Sequence, residues 1–522
     1  MILQARGAGY RYPSAQEAAV TGVDLEVDAG QVVLVTGPTG CGKSTLLRLC
    51  AGLLGRHGQG EVLGAVAVAG REPASTSPAR RVASLGFVSQ VPSDQLVTGT
   101  LGDEVAFGLE SAGWTADRME QRVAELLLLL GLPAEPSRSV RALSGGQQQR
   151  LVVASALAGG APLLLLDEPL AQLDPVGAQR LLQRLRALAD DGVAVVVVEH
   201  RLEACWPVLD RVVVLDDGRV VCDAAVDEVP LGVLRGLGLT VPGLLDLADR
   251  VGDLALVEAR AHSVAPVSDH SEIRPLGPIL QAGPLTWCWP GASARALVDA
   301  ALILRPGDRV AIVGANGSGK STLLGALSGH LDAGAVQCDG RIVHVPQDPD
   351  LALFCDSVLE ELAYGPREQR LGPGEVAARV ARSASALSLE DLLDRAPQAL
   401  SRGQRLRVAV GGALACQPTI LILDEPTSGQ DHDQVERMMR ALRLALADRA
   451  LVFATHDLDL ALRHANRVIV LDEGRVIEDG LPAEVLAALP ERLPLRLPPL
   501  AAHCLAQGWP LLSAEALAEL LR

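Results

Sequence analysis

The sequence predicts an α/β fold in two tandem copies, and two observations lead to this expectation. Continuous apolar runs of the kind found inside parallel sheets occur in both halves, at residues 31–37, 163–167, 193–200, 309–314 and 421–424. Stretches with helical periodicity, such as 117–130 and 178–189, lie between these runs. Strands and helices that alternate in this way build a parallel sheet covered by helices.

An internal repeat divides the chain. The segment GPTGCGKST at 37–45 returns 277 residues later as GANGSGKST at 314–322, and each later motif returns after 256 or 257 residues. An insertion between the first two motifs of the first copy accounts for the change in spacing. We therefore predict a first domain at 1–250 and a second at 278–522, each with a small helical tail, and a linker at 251–277.

Composition excludes several classes of protein. The formal net charge of −17 has the wrong sign for a chain whose main partner is a nucleic-acid backbone. Nine cysteines without a C-x-x-C pair indicate neither a disulfide framework nor a zinc site, and they fit a reducing cytoplasm. The start of the chain lacks the pattern of a signal peptide. The uncharged runs 151–166 and 408–423 are shorter than the ~20 residues of a membrane span, so none is expected.

Each copy carries the pattern G-x-x-x-x-G-K-[ST] between an apolar run and a predicted helix, which is typical of a phosphate-binding loop. Its glycines let backbone N–H groups surround a phosphate, its lysine neutralises the charge, and its serine hydroxyl is offered to Mg²⁺. The residues are Gly37, Gly40, Gly42, Lys43, Ser44 and Thr45 in the first copy, and Gly314, Gly317, Gly319, Lys320, Ser321 and Thr322 in the second.

Lysine usage indicates that both loops work. The chain has 46 lysines and arginines together, and Lys43 and Lys320 are the only lysines among them. Arginine has taken every position where a generic positive charge suffices. The compact ammonium group remains at the two positions where a forked guanidinium would not fit inside the loop.

Acidic pairs end the next apolar runs of both copies. Asp167 and Asp424 are candidates to hold Mg²⁺, directly or through water. Glu168 and Glu425 are candidates to orient and polarise an attacking water molecule.

Two further pairs of polar residues occupy corresponding places in the copies. Gln90 and Gln347 lie between the phosphate loop and the acidic pair, and His200 and His456 follow the next apolar run. Taken alone, each would be an ordinary surface or strand-end residue. Their repeated positions make the histidines candidates to contact a γ-phosphate and the glutamines candidates for the same site.

The order of these motifs resembles the ATP-binding cassette (ABC) type of phosphate-loop ATPase, twice over nearly the whole chain. The segment LSGGQQQR at 143–150 is the most specific match, and its counterpart is LSRGQ at 400–404. The resemblance implies hydrolysis of ATP with Mg²⁺, for which Gln90 and Gln347 also serve as ligands. It further implies that Tyr12 and Trp289 stack on adenine, since each lies 25 residues before the first glycine of its loop. The alternative for these aromatic residues is a packing role.

The family also implies that the two cassettes of one chain pair head to tail, so that each ATP meets the LSGGQ segment of the other cassette. The site of Lys320 then receives Ser144, Gly145, Gly146 and Gln147, whereas the site of Lys43 receives Ser401, Arg402, Gly403 and Gln404, with arginine in place of glycine. We hypothesise that both sites bind ATP and that the Lys320 site hydrolyses it faster. The loops at 171–174 and 428–431 depart from the usual Ser-Ala-Leu-Asp.

The segments after Gln90 and Gln347 resemble the energy-coupling-factor branch of the family. There a paired ATPase drives a transmembrane coupling protein and a substrate-capture membrane protein that import vitamins or transition-metal ions. This resemblance implies a peripheral location at the cytoplasmic face of the cell membrane. Acidic side chains would face basic residues of the partner, namely Asp103, Glu104, Glu360 and Glu361.

Two alternatives remain open. One is a sugar-type tandem importer ATPase, and the other is a soluble tandem ATPase that acts on ribosomes or nucleic acid. The short, mixed linker and the acidic charge balance disfavour the second alternative. No nucleic-acid partner is expected.

Overall fold

The computed structural model describes residues 1–13, 15–55, 60–171, 173–251, 277–291, 294–427, 430, 432–489, 493, 495, 497–507 and 517–518. The chain forms two compact units, Met1–Pro242 and Gly243–Arg522. Most of the predicted linker, residues 252–276, lies outside the described residues. Within the described part of the chain, no helix is both long and apolar enough to cross a membrane.

The strands of the first unit are β1 (Leu3–Arg11), β2 (Val20–Val27), β3 (Val32–Thr36), β4 (Glu61–Val68), β5 (Gly86–Val88), β6 (Leu163–Asp167), β7 (Ala194–Val198), β8 (Arg211–Asp216) and β9 (Arg219–Ala225). They build a six-stranded sheet of order β5-β6-β7-β3-β8-β9, in which β9 is antiparallel to its neighbour and the other strands are parallel. A second, antiparallel sheet has the order β2-β1-β4.

The helices of the first unit are α1 (Lys43–Cys50), α2 (Pro78–Val82), α3 (Leu101–Ser111), α4 (Ala116–Leu129), α5 (Gly145–Leu157), α6 (Pro175–Asp190), α7 (Leu202–Cys205) and α8 (Leu231–Gly236). Single 3₁₀ turns lie at Pro92–Asp94, Val140–Ala142 and Trp206–Val208.

The second unit opens with α9 (Gly243–Val251). Its strands are β10 (Leu280–Trp287), β11 (Leu297–Leu304), β12 (Arg309–Val313), β13 (Val336–Cys338), β14 (Ile342–Val345), β15 (Ile420–Asp424), β16 (Ala450–Thr455), β17 (Arg467–Asp472) and β18 (Arg475–Gly480). The six-stranded order β14-β15-β16-β12-β17-β18 repeats that of the first unit, and β11-β10-β13 form the small sheet.

The remaining helices of the second unit are α10 (Lys320–Leu327), α11 (Val358–Glu368), α12 (Pro373–Ala386), α13 (Arg402–Ala415), α14 (His432–Ala445), α15 (Leu458–His464), α16 (Pro482–Ala487) and α17 (Pro499–Gln507). Single 3₁₀ turns lie at Pro349–Leu351, Glu390–Leu392 and Pro397–Ala399. Helices α9 and α17 belong to a small separate core that contains Leu247, Leu500 and Cys504.

Burial on both faces explains the continuous apolar runs of the sequence. In β6, Leu164 and Leu166 belong to the core that includes α3, α4 and α5, whereas Leu163 and Leu165 belong to the core that includes α1 and the small sheet. Every residue of this strand therefore has to be apolar until the strand ends. The predicted α/β fold in two tandem copies is confirmed.

The topology gathers the motifs at one edge of each large sheet. Asp167 at the end of β6 is in register with Val198 at the end of β7, and Val198 is also in register with Val35 of β3. In the second unit, Asp424 pairs with Ala454 and Val313 pairs with Thr455. The loops that leave the carboxyl ends of these strands therefore meet, which is where ligands bind in open α/β sheets.

Candidate active site

The loop after β3 wraps around the ammonium group of Lys43. Its Nζ donates to the carbonyl oxygens of Gly37 and Pro38 at 2.7 and 2.8 Å, and the side chain is buried. Gly42 precedes α1 with a φ of 103°, and a Cβ there would lie 2.5 Å from the carbonyl oxygen of Ala19. Only glycine fits this position, and the N–H groups that open α1 stay available to an anion.

The second unit builds the same loop. The Nζ of Lys320 donates to the carbonyl oxygens of Gly314 and Ala315 at 2.9 and 3.1 Å. Gly319 has a φ of 104°, and a Cβ there would lie 2.3 Å from the carbonyl oxygen of Ala296. Gly40 and Gly317 also have positive φ, but a Cβ at either would meet nothing within 4 Å, so they lie on the open side of the loop.

A carboxylate with an unused oxygen lies beside each phosphate-binding loop. Ser44 donates from Oγ to Oδ1 of Asp167 at 3.0 Å, whereas Oδ2 of Asp167 is buried without a hydrogen-bond partner among the described residues. Burial raises the pKa of the Asp167 carboxyl, and the hydrogen bond from Ser44 opposes this shift.

The second unit repeats this pair with Ser321 and Asp424. Burial raises the pKa of the Asp424 carboxyl, and a hydrogen bond from Ser321 opposes the rise. Within the described residues, Oδ1 of Asp424 has no hydrogen-bond partner. A serine hydroxyl and an orphaned carboxylate oxygen form a set of hard ligands that fits Mg²⁺.

Glu168 lies between a glutamine and a histidine in the first unit. Gln90 donates from Nε2 to Oε2 of Glu168 at 2.7 Å, and Nε2 of His200 lies 3.3 Å from Oε1. Burial alone would raise the pKa of the Glu168 carboxyl, but His200, Gln90 and Lys43 together lower it below its ordinary value. The carboxylate is therefore ionised at neutral pH.

Glu425 has a different set of partners. Both of its carboxylate oxygens lie 3.0 Å from Nδ1 of His456, and Oε1 lies 4.0 Å from Nζ of Lys320. Burial would raise its pKa, but His456 and Lys320 lower it below its ordinary value.

The two glutamines have different contacts. The backbone carbonyl of Gln347 accepts from Nη2 of Arg402 at 3.5 Å. The structure brings Gln90, but not Gln347, into a hydrogen bond with the glutamate of its own unit.

Both glutamates occupy a backbone conformation that is unusual for residues other than glycine. Glu168 has a φ of 49° and Glu425 a φ of 51°. The N–H of Glu168 donates to Val198 and that of Glu425 to Ala454, so hydrogen bonds to the neighbouring strand hold each residue in place. Strain of this kind is found where a side chain has to point in a particular direction for function.

The two predicted adenine-stacking residues lie next to the phosphate-binding loops. Tyr12 is 37% exposed and Trp289 is 47% exposed. The hydroxyl of Tyr12 lies 3.2 Å from Oγ1 of Thr45, and Nε1 of Trp289 donates to Oγ1 of Thr322 at 3.3 Å. Each ring also makes an edge contact with a second aromatic ring, Tyr10 or Trp287. The predicted stacking of adenine on these two side chains therefore stays a prediction, with both residues partly exposed beside the loop.

A buried carboxylate in the first unit was not predicted from the sequence. Glu199 is 3% exposed and accepts hydrogen bonds from the backbone N–H groups of Leu170, at 2.8 Å, and His200, at 3.1 Å. Nη1 of Arg201 donates to the carbonyl oxygens of Leu170 and Leu173. The pair holds the loop after the acidic motif against the segment of His200. The signal was available, because an acidic residue at the end of an apolar run has to be satisfied internally.

The prediction that four acidic residues face a partner is wrong for two of them, Glu104 and Glu361. Glu104 and Glu361 are only 5% and 7% exposed. The Oε2 of Glu104 accepts from the backbone N–H groups of Val97 and Thr98, and the Oε2 of Glu361 accepts from those of Phe354 and Cys355. Each carboxylate holds the loop in front of its own helix. The neighbouring Asp103 and Glu360 are exposed.

Comparison with known proteins identifies the family. The profile of the ABC transporter family matches residues 20–171 and 297–428. The chain belongs to the ATP-binding cassette family. A "Putative ABC transporter ATP-binding protein" of Methanosarcina mazei is 35% identical, and the match covers 93% of this chain and 90% of that protein. A protein of Streptomyces coelicolor with the same description is 36% identical, covering 92% and 94%.

Two solved structures share the fold over nearly the whole chain. The archaeal ribosome recycling factor aABCE1, solved in complex with the ribosomal stalk protein aP1, gives a TM-score of 0.62 at 21% identity and covers 92% of this chain and 91% of its own. The RNase-L Inhibitor gives 0.61 at 22% identity, with coverage of 92% for both chains. At these identities the likeness concerns the fold, and it confirms two ABC cassettes in tandem.

The LSGGQ segment of the first cassette and the LSRGQ segment of the second each open a helix. Ser144 caps α5 and Ser401 caps α13, and each forms a capping box with the glutamine three residues later, Gln147 or Gln404. Gly145 and Gly146 form the first turn of α5, as Arg402 and Gly403 do in α13. An exposed helix start of this kind is suited to an anion. Gln172, Ser428, Gly429 and Asp431 of the departing loops lie outside the described residues.

The arrangement in each cassette suits phosphoryl transfer to water. The lysine and the N–H groups at the helix start can hold phosphate oxygens, and an ionised glutamate beside a histidine can accept a hydrogen bond from a water molecule. When bound, Mg²⁺ would be held by Ser44 and Asp167 or by Ser321 and Asp424, and it would neutralise charge on the phosphates. ABC cassettes are ATPases, and this chain carries two.

Proposed function

We propose that the chain is the ATP-hydrolysing motor of a membrane transporter, and that it serves an importer of the energy-coupling-factor type. Its cargo would be a vitamin or a transition-metal ion. The catalytic residues would be Glu168 and His200 in the first cassette, and Glu425 and His456 in the second. The two relatives described as ABC transporter ATP-binding proteins support a role in transport, because they match this chain over nearly its whole length.

The observation that carries this proposal is a matched pair of exposed apolar patches. The first-unit patch consists of Val97 and Phe107, which are 63% and 53% exposed. The second-unit patch has Phe354 and Tyr364 at the corresponding positions, 61% and 45% exposed, together with Leu351 and Leu359. Exposed apolar groups that recur at equivalent places favour contact with other proteins over chance exposure.

One residue of each patch is anchored from inside its unit. The buried Glu104 fixes the backbone of Val97, and the buried Glu361 fixes that of Phe354. Phe354 and Tyr364 also pack edge to face, with ring centroids 4.7 Å apart. A preordered apolar surface loses little conformational entropy on binding, which supports a stable contact with a partner. In the chain, the first-unit patch follows Gln90 and the second-unit patch follows Gln347. A partner bound to a patch would therefore contact the segment that continues from a residue of the nucleotide site.

Purification from membranes tests this function. The full chain, carrying an affinity tag, is isolated from membranes solubilised in mild detergent, and co-purifying proteins are identified by mass spectrometry. We expect one multi-span coupling protein and one small apolar capture protein, which would also indicate the cargo. Recovery only from the soluble fraction with ribosomes or nucleic acid would overturn the proposal in favour of a translation-associated cassette protein.

Matched variants sharpen the experiment. Replacement of Phe354 and Tyr364 by serine should abolish recovery of the coupling protein while ATP hydrolysis by the purified chain continues. Leu128→Ser is the control, because Leu128 is 81% exposed in α4, outside both patches. Loss of the coupling protein from the control as well would show that the patches have no special role.

A further inference from the structure

The second unit contains a pair of histidines outside the nucleotide site. Nδ1 of His330 lies 3.4 Å from Nδ1 of His344, and their ring centroids are 5.5 Å apart. Oγ of Ser328 lies 3.0 Å from the first of these nitrogens and 3.4 Å from the second. Three electron-pair donors from two segments, the end of α10 and β14, thus converge on one point.

Ser328 presents its oxygen lone pairs to the histidines. Its hydroxyl is 2.9 Å from the carbonyl oxygen of Leu324, one turn earlier in α10, to which it donates. Nε2 of His344 is buried and has no partner in the described part of the chain, so the contacts of this ring are made through Nδ1. With its proton on Nδ1, each ring could donate to Ser328, but the two N–H groups would then face each other across the 3.4 Å between the nitrogens. A cation at the centre satisfies all three atoms without this repulsion.

The spacing agrees with coordination of a transition-metal ion. Two nitrogens at the usual ~2.05 Å from a tetrahedral Zn²⁺ lie about 3.4 Å apart. His330 is exposed, so water can complete the coordination sphere.

The first unit provides an internal comparison. Ser328 caps the end of α10, and Ala51 caps the end of the corresponding helix α1. His330 lies two residues after Ser328, and its counterpart Leu53 lies two residues after Ala51. Phe87 pairs with Leu165 of β6 at the register where His344 pairs with Ile422 of β15. All three positions are apolar in the first unit and all three carry donor atoms in the second. Packing alone does not require a change of this kind at three positions together.

We propose that Ser328, His330 and His344 bind one divalent transition-metal ion of the Zn²⁺ class. The ion would join the end of α10, which begins at the phosphate-binding loop, to β14, which leads to Gln347. With two imidazoles, a hydroxyl and solvent as ligands, and with no set of three His, Cys, Asp or Glu side chains in the described residues, binding is of moderate strength.

Calorimetric titration of the reduced, nucleotide-free full chain with Zn²⁺ tests the site. We expect one equivalent to bind with micromolar affinity, and binding to weaken at least about a hundredfold in His330→Leu with His344→Phe, the residues of the first unit. His464→Gln, which removes a histidine elsewhere in the unit, should bind like the parent chain. Equal binding by the parent and the double variant would overturn the proposal.

Two further readouts separate this site from the cysteines and from a folding defect. Bound Co²⁺ should lack the intense thiolate charge-transfer band, whose presence would refute ligation by His330 and His344. Zn²⁺ should raise the melting temperature of the parent chain but not of the single variant His330→Leu, which changes an exposed residue and leaves the fold intact. A rise in both proteins would equally count against the site.

Discussion

The two cassettes share one backbone plan but differ in the side chains around the catalytic glutamate. In the first unit Glu168 accepts a hydrogen bond from Gln90 and lies beside His200. In the second unit Glu425 lies against His456 and near Lys320. The phosphate-binding loops are nearly identical, with φ values of 103° and 104° at Gly42 and Gly319. Duplication has therefore preserved the part that holds phosphate while the part that acts on water has diverged.

The support behind the histidine differs as well. The first unit has Glu199 and Arg201 on either side of His200, and both bond to the loop after the acidic pair. The second unit has Thr455 and Asp457 at these places. There the N–H of Asp457 donates to Oγ1 of Thr455, and its carboxylate caps α15. A buried carboxyl and an arginine support the segment of His200 in one copy, whereas a local turn follows His456 in the other.

The largest expected difference concerns turnover. Under the hypothesis that the cassettes pair head to tail, the Lys320 site receives the intact LSGGQ segment of the first cassette. We therefore expect Glu425→Gln to lower ATP turnover by roughly a thousandfold and Glu168→Gln to lower it by less than about tenfold. Steady-state phosphate release from the two purified variants measures this. Equal losses would contradict the hypothesis that the Lys320 site hydrolyses faster.

The next effect tests a feature that the units share. Glu361→Ala should destabilise the second unit by about 2–3 kcal/mol, because two backbone N–H groups lose a charged acceptor. Glu104→Ala should act similarly on the first unit. Hydrogen exchange measured on peptides from each unit reports the effects separately. The exposed neighbour Glu360→Ala is the control and should change stability by no more than about 0.5 kcal/mol.

A charged network found in the second unit predicts a pH-dependent difference. Glu436 contacts Arg463 and lies 3.0 Å from Nε2 of His464. Burial opposes ionisation, but His464 and Arg463 lower the pKa of the Glu436 carboxyl from 4.5 to about 2. A lowered folded-state pKa contributes stability above pH 4.5 that is lost as the pH falls toward 2.

Glu436→Gln should therefore destabilise the second unit by about 1–2 kcal/mol at pH 7, after allowance for its partial exposure. The gap between the variant and the parent should shrink as the pH is lowered from 4.5. Urea unfolding at pH 7 and pH 4, followed by hydrogen exchange in the second unit, measures it. Gln179 of the first unit corresponds to Glu436, and Gln179→Ala should show no such pH dependence. A gap that stays constant with pH would contradict the assignment.

The smallest expected effect is a matched one. Thr100 caps α3 and Ser357 caps α11, each accepting from the backbone N–H three residues later. Alanine at either position should cost about 1 kcal/mol, since one N–H at the helix start loses its acceptor. Thermal unfolding of the two single variants measures this. A cost confined to one unit would show that the helices after Gln90 and Gln347 are not equivalent.

Much of the site follows from motifs whose residues stand close together in the chain. The spacing of Gly37, Gly42 and Lys43 predicts the loop that the structure contains, because its contacts are made within seven residues. Contacts between distant segments were harder to predict. Nothing in the sequence distinguishes Gln90 from Gln347, yet only Gln90 bonds to the glutamate of its unit. The prediction that Glu104 and Glu361 face a partner was wrong for the same reason, because the burial of these side chains depends on how α3 and α11 pack.

The sequence by itself determined two ABC cassettes, their phosphate-binding loops and the acidic pairs at the ends of β6 and β15. These features are fixed by short-range geometry and by the need for apolar residues on both faces of a parallel sheet. Only the tertiary structure decided the partners of Glu168 and Glu425, the support from Glu199, and the convergence of His330 with His344. Side chains far apart in sequence meet only after the strands are in register and the helices have packed, and a linear pattern does not encode those distances.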